Sequence, residues 1–134
     1  MKNELVTLET AKTLKKLGFK EPCFFAFDQC EMTCCDLRGQ QKFDGVNYNL
    51  GGYISKPFWL QVEKWLRDNY QVFIEILVLK EDDETTNCFI SYTVTDFYPE
   101  KHEEDIRYKT YEEARTQTII DALELIQGER IKNV

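Results

Sequence analysis

The strongest constraint on the fold is the stretch from Tyr53 to Leu79, which reads YISKPFWLQVEKWLRDNYQVFIEILVL. Its first half predicts a helix that starts at Ser55 and Pro57, because serine caps helices and proline fits the first turn. Asn69 is predicted to end this helix in a left-handed conformation. Apolar residues at helical spacing give the helix one buried face, formed by Phe58, Val62, Trp65 and Leu66.

The second half of this stretch predicts a strand. From Val72 to Leu79 the residues are apolar at both odd and even positions, and only Glu75 interrupts them. A run rich in β-branched residues that is apolar on both faces is typical of a central strand. We therefore expect this strand to lie in the interior of a sheet.

Two further helices are predicted at the ends of the chain. The first spans Leu8 to Leu17, with Thr7 as its cap and Gly18 as its stop. The last begins with a capping box at residues 110–113 and ends at Gln127, before Gly128. Its inward face is predicted to consist of Ala114, Ile119, Ala122, Leu123 and Ile126.

The remaining segments predict strands and one long loop. A hairpin is expected from Cys23–Phe27 and Met32–Leu37, joined by a turn at Asp28–Glu31. A strand at Cys88–Phe97 should pair antiparallel with residues 71–79. The glycine-rich segment 38–52 is predicted to be a loop.

These elements predict a single domain over residues 1–134, of the α+β class. The expected order is α-β-β-α-β-β-α, with an antiparallel sheet of about four strands and helices packed on one face. A chain of 134 residues with 43% hydrophobic residues can form a packed core without disulfides. No apolar run reaches the ~20 residues that a membrane span requires. The N-terminal residues lack an apolar signal segment, so we expect a cytoplasmic protein with no membrane partner.

The negative charge is concentrated in one part of the sequence. Residues 80–105 contain nine acidic and two basic residues, which accounts for the whole net charge of -7. A general nucleic-acid-binding protein needs a basic surface, so nucleic acid is not expected as a partner.

The cysteines do not form a recognisable metal or catalytic motif. Cys34 and Cys35 are adjacent, so on a strand they point to opposite faces and cannot easily bind the same ion. The only histidine, His102, lies in a remote acidic segment, which argues against zinc and against a Cys–His nucleophile. We expect no metal, no cofactor and no catalytic residues.

Two sets of residues are candidates for contacting a partner protein. The first set comprises the aromatic residues of the long loop, Phe43, Tyr48 and Tyr53. The second set is the acidic turn formed by Glu81, Asp82, Asp83 and Glu84, which could attract a basic partner. The aromatic residues could equally pack the loop against the core.

Three stretches carry a resemblance to a known group. VTLETAKTLKKLGF, PFWLQVEKWLRDNYQVFIEI and YEEARTQTIIDALELI, at residues 6–19, 57–76 and 111–126, resemble small uncharacterised proteins from phages and prophages of gut Bacteroides-type bacteria. The resemblance implies a phage or prophage origin and the cytoplasm of a bacterial host, but no chemistry.

Together these observations predict a non-catalytic accessory protein that binds a phage or host protein. Two alternatives stay open. One is an acidic mimic of nucleic acid that inhibits a host protein, and the other is an enzyme whose site the sequence does not reveal.

Overall fold

The computed structural model describes residues 4–34, 46–80, 87–94 and 107–132. It confirms the α+β class, with three helices and two antiparallel sheets of three and two strands in these ranges. The chain falls into two compact units, Met1–Val62 and Glu63–Val134. The expected sheet of about four strands is not what the described residues form. The single-domain organisation stays a prediction.

The first unit opens with helix α1, Leu8–Lys16, whose two ends follow the sequence prediction. The Thr7 hydroxyl accepts a hydrogen bond from the Thr10 amide at 3.4 Å, which caps the N-terminus. Gly18 has a φ of 89°, and the Phe19 amide donates to the Leu14 carbonyl at 2.9 Å. This pairing is the Schellman stop that a glycine after the last turn predicts.

A three-stranded antiparallel sheet follows α1 in the same unit. Its strands are β1 (Phe25–Phe27), β2 (Thr33–Cys34) and β3 (Ile54–Lys56), in the order β2-β1-β3. The predicted β1–β2 hairpin is confirmed, with Ala26 paired to Cys34 and Phe27 to Thr33. In the turn between them, the Asp28 carboxylate accepts hydrogen bonds from two backbone amides, at 2.9 Å and 3.0 Å.

Strand β3 was not predicted, and its presence shows that the predicted start of the next helix is wrong. Ser55, the expected cap, is a buried residue of β3 that pairs with Ala26 of β1. Helix α2 begins only at Trp59 and runs to Tyr70. A short 3-10 helix, Tyr48–Leu50, also lies within the segment that was predicted to be only a loop.

The buried face of α2 agrees with three of the four predicted apolar residues, because Val62, Trp65 and Leu66 are buried. The fourth, Phe58, is half-buried and lies just before the helix. The predicted stop at Asn69 is wrong, because the left-handed residue is Gln71, with a φ of 57°. Asn69 stays helical, and its side-chain amide donates to the Trp65 carbonyl at 3.0 Å.

The second unit contains an antiparallel pair formed by β4 (Phe73–Lys80) and β5 (Asn87–Val94). This pairing was predicted and is confirmed, from Phe73 opposite Val94 to Lys80 opposite Asn87. The expectation that β4 is buried on both faces is wrong. Four of its large apolar side chains are substantially exposed: Phe73, Leu77, Val78 and Leu79.

Helix α3, Tyr111–Lys132, packs on the β4–β5 pair. Its start is confirmed, because the Thr110 hydroxyl accepts from the Glu113 amide at 3.1 Å. Its predicted end at Gln127 is wrong: the helix continues through Gly128, which costs only about 1 kcal/mol relative to alanine. The predicted inward residues are all buried: Ala114, Ile119, Ala122, Leu123 and Ile126.

Candidate interaction surfaces

The most distinctive surface of the second unit is strand β4. Its exposed fractions are 44% for Phe73, 47% for Leu77, 57% for Val78 and 41% for Leu79. Side chains alternate between the two faces of a strand, so Phe73, Leu77 and Leu79 lie on one face and Val78 on the other. An exposed apolar strand of eight residues is uncommon in a monomeric protein and typical of an interaction site.

Among the described residues, no strand is bonded to the side of β4 that faces away from β5. Within the described residues, β4 pairs with β5 and with no other strand. The opposite edge of β5 is partly occupied, because Phe89 and Tyr108 exchange two backbone hydrogen bonds at 2.9 Å and 2.8 Å. We name the side of β4 that faces away from β5, together with its four exposed apolar side chains, the β4 edge.

One charged residue lies in the middle of the β4 edge. Glu75 is exposed, and it shares a face with Phe73 and Leu77. Its partner in β5 is Tyr92, so no cation of β5 stands opposite its carboxylate. The strand thus presents an acidic position between apolar positions.

The aromatic loop residues have different environments in the first unit. Tyr48 is buried, and its hydroxyl donates to the Phe24 carbonyl at 3.4 Å. Tyr53 is exposed at 45%, and its ring meets that of Tyr48 edge-on at 6.2 Å between centroids. Tyr48 therefore packs the loop in place and Tyr53 is accessible to a partner. Phe43 lies outside the described residues.

The acidic turn Glu81, Asp82, Asp83 and Glu84 also lies outside the described residues. In the sequence, this segment follows Lys80 and precedes Asn87, which are paired with each other.

Four cysteines lie in the described ranges: Cys23 and Cys88 are buried, Cys34 is half-buried and Cys30 is exposed. Cys23 is buried beside Ser55, and burial raises the pKa of its thiol to about 12 although the Ser55 hydroxyl opposes the shift. At neutral pH this group is therefore the protonated thiol, which is neither a good nucleophile nor a metal ligand. Cys35 and His102 lie outside the described residues.

The described ranges contain neither a candidate metal-binding cluster nor a membrane-spanning helix. No three histidine, cysteine or acidic side chains there are grouped so that they could hold a metal ion. None of the helices there is long and apolar enough to cross a membrane.

The sequence interpretation missed the β4 edge because it equated apolar character with burial. The signal that could have revealed the edge was Glu75, since a carboxylate is rarely fully buried without a partner. Its presence in the middle of the run indicates that at least one face of β4 reaches solvent.

Comparison with known proteins gives no further evidence of function. No protein-family model, curated protein or solved structure gives a significant match to this chain.

Proposed function

We propose that this chain is a non-catalytic protein-binding module that takes up an extended segment of another protein along the β4 edge. The observation that carries the proposal is the combination of a backbone edge of β4 that no described strand pairs with and large exposed apolar side chains on β4. In this mode of recognition, the added strand forms main-chain hydrogen bonds with the edge, and its alternate side chains give specificity.

The length of β4 suits this mode of binding. Eight residues at about 3.3 Å per residue give a strand of roughly 26 Å. About half of its backbone amide and carbonyl groups point away from β5, because successive residues of an antiparallel strand bond to opposite sides. An incoming segment would satisfy these groups and cover the exposed apolar side chains.

The non-catalytic part of the proposal is supported by the environment of one buried thiol, that of Cys23. Cys23 is the described cysteine whose pKa is raised, and the shift favours the unreactive protonated form. The exposed thiol, Cys30, lies in the hairpin turn of the first unit.

The partner belongs, in this proposal, to a phage or to its bacterial host. The support is the resemblance of residues 6–19, 57–76 and 111–126 to phage and prophage proteins. An accessory role in the cytoplasm of the host is consistent with that origin.

A peptide selection on the full chain tests the proposed function. Random twelve-residue peptides displayed on yeast are selected for binding, and amide hydrogen exchange then locates the bound peptides. We expect slower exchange at alternate amides of β4, and at least tenfold weaker binding to Leu77→Lys and Val78→Lys variants. Leu60→Lys is the matched control, because Leu60 is a similarly exposed apolar residue, at 59%, on α2.

Two results would contradict the proposed function. One is a selection that yields no binding peptides. The other is a set of peptides whose binding is the same for the β4 variants and for the Leu60→Lys control.

A second candidate function is favoured by the charge of the second unit. Residues 63–134 contain seventeen acidic and nine basic residues, a net charge of -8. Such a unit could imitate nucleic acid and occupy the basic groove of a host protein. Binding that weakens steeply with salt, and that is lost when Glu81 to Glu84 are reversed to lysine but not in Val78→Lys, would favour this alternative.

A further inference from the structure

The charge pattern of β4 indicates which kind of segment the edge would accept. Phe73, Glu75, Leu77 and Leu79 lie on one face of the strand, in that order. Residues that are directly opposite each other in neighbouring strands lie on the same face and interact. A segment placed beside β4 must therefore present one side chain to the Glu75 carboxylate and apolar side chains to its neighbours.

A second copy of this chain does not meet that requirement. Two β4 strands that pair antiparallel in a closed dimer are related by a two-fold axis perpendicular to the sheet. This axis places equivalent side chains of the two copies on the same face of the joint sheet. Glu75 would then be opposite Phe73, Glu75, Leu77 or Leu79 of the other copy. The basic residue of β4, Lys80, lies on the opposite face and cannot stand opposite Glu75.

The charges of the two units also oppose pairing of β4 with itself. The unit that contains β4 has a net charge of -8, whereas residues 1–62, with eight basic and seven acidic residues, have +1. Bringing two β4 edges together would bring two strongly acidic units together. A cationic segment would instead be attracted, with an association rate that falls as salt increases.

We infer that the β4 edge recognises an extended segment of a different protein in which a lysine or arginine alternates with apolar residues. The basic side chain lies opposite Glu75, and apolar side chains lie opposite Phe73 and Leu77. This inference rests on the proposed function, to which it adds the chemistry of the partner.

The test uses three capped seven-residue peptides of alternating valine and threonine. In each peptide, the valine that would lie opposite Glu75 is replaced by another residue. This residue is lysine in the first peptide, glutamine in the second and glutamate in the third. Binding of each labelled peptide to the full chain is measured by fluorescence anisotropy at low and at physiological salt. We expect the lysine peptide to bind roughly 2- to 30-fold more tightly than the glutamate peptide, with the glutamine peptide between them.

Two variants of the chain distinguish a local effect of the Glu75 charge from an effect of the net charge of the protein. Glu75→Lys should reverse the order, so that the glutamate peptide binds most tightly. Glu124→Lys changes the net charge by the same amount at an exposed position of α3, and it should preserve the original order. Equal effects of the two variants, or equal binding of all three peptides, would overturn the inference and leave the proposed function standing.

Two other outcomes are distinct from these. If neither these peptides nor the selected random peptides bind to β4, the proposed function itself fails. Sedimentation velocity tests whether the chain forms a concentration-dependent dimer and whether Val78→Lys converts that dimer to monomer. If both are observed, a second copy occupies the β4 edge and the inference is overturned.

Discussion

Strands β1 and β4 are both rich in apolar residues, yet β1 is covered and β4 is open. β1 has only three residues, but it lies between β2 and β3, and Ala26 and Phe27 are buried. β4 has eight residues and one neighbouring strand in the part of the chain that the structure describes, and its large side chains reach solvent. The difference shows that burial depends on how many elements cover a strand and is not set by the strand's own hydrophobicity.

The largest expected effect compares two aromatic residues of the second unit. Trp65 is 5% exposed and meets Tyr70 edge-on at 5.2 Å between ring centroids, whereas Phe73 of β4 is 44% exposed. We expect Trp65→Ala to lower the free energy of unfolding by about 3–5 kcal/mol, and Phe73→Ala by less than about 1.5 kcal/mol. Urea titration measures both free energies of unfolding. Equal decreases for the two variants would contradict the distinction between buried and exposed positions.

The second prediction concerns the buried thiol of Cys23, which lies two residues before β1. Burial holds the pKa of Cys23 at about 12, above its ordinary value of 9.0. The stabilising effect of the protonated thiol is therefore complete below pH 9.0 and is lost as pH rises towards 12, by about 1.4 kcal/mol per pH unit.

The matched variants for this pH dependence are Cys23→Ala and Cys30→Ala. Denaturation at several values between pH 8 and 11 should show a shallower decline for Cys23→Ala than for the unmodified chain. Cys30→Ala is the control, because it removes an exposed thiol and leaves Cys23 in place. Identical slopes in all three proteins would mean that the Cys23 thiol is accessible to water.

The third prediction concerns substitutions that enlarge one side chain in β1 and one in β4. Ala26 is fully buried in the central strand of its sheet, so Ala26→Leu should destabilise the protein by roughly 1–3 kcal/mol through overpacking. Val78→Leu in β4 should be close to neutral, since Val78 is 57% exposed. Thermal unfolding of the two variants compares them directly, and a neutral Ala26→Leu would show that the first sheet has unfilled space.

The smallest expected effect is that of Val78→Lys. An exposed position away from the core tolerates a charge, so we expect a change within about 0.5 kcal/mol in the free energy of unfolding. Urea titration at neutral pH checks this value. A loss above about 2 kcal/mol would mean that β4 is covered in solution, and it would remove the basis for the β4 edge.

The parts of the fold that the sequence predicted correctly depend on local interactions. Thr7 and Thr110 cap their helices by bonding to amides three residues away, and Gly18 ends α1 within the same turn. The pairing of β4 with β5 follows from two strands that only six residues of sequence separate. In each case the interacting residues are close in sequence, so the pattern of residue types was sufficient.

The incorrect predictions share a different cause. Ser55 has the chemistry of a cap, but pairing with Ala26, 29 positions earlier, places it in a strand. Gly128 has the chemistry of a helix stop, but α3 continues through it to Lys132. For the candidate site, the sequence indicated an acidic region and three aromatic residues, of which Tyr53 is exposed and Tyr48 is buried. It gave no indication that β4 pairs, among the described strands, with β5 alone.

The sequence by itself determined the α+β class, the starts of α1 and α3, the buried faces of α2 and α3, and the concentration of negative charge. These properties follow from residue spacing and from hydrogen bonds within a few positions of the chain. Only the tertiary structure decided that β3 joins the first sheet and that β5 is the one described strand that pairs with β4. Burial and strand neighbours depend on contacts between residues far apart in sequence, and the periodicity of a single segment does not encode them.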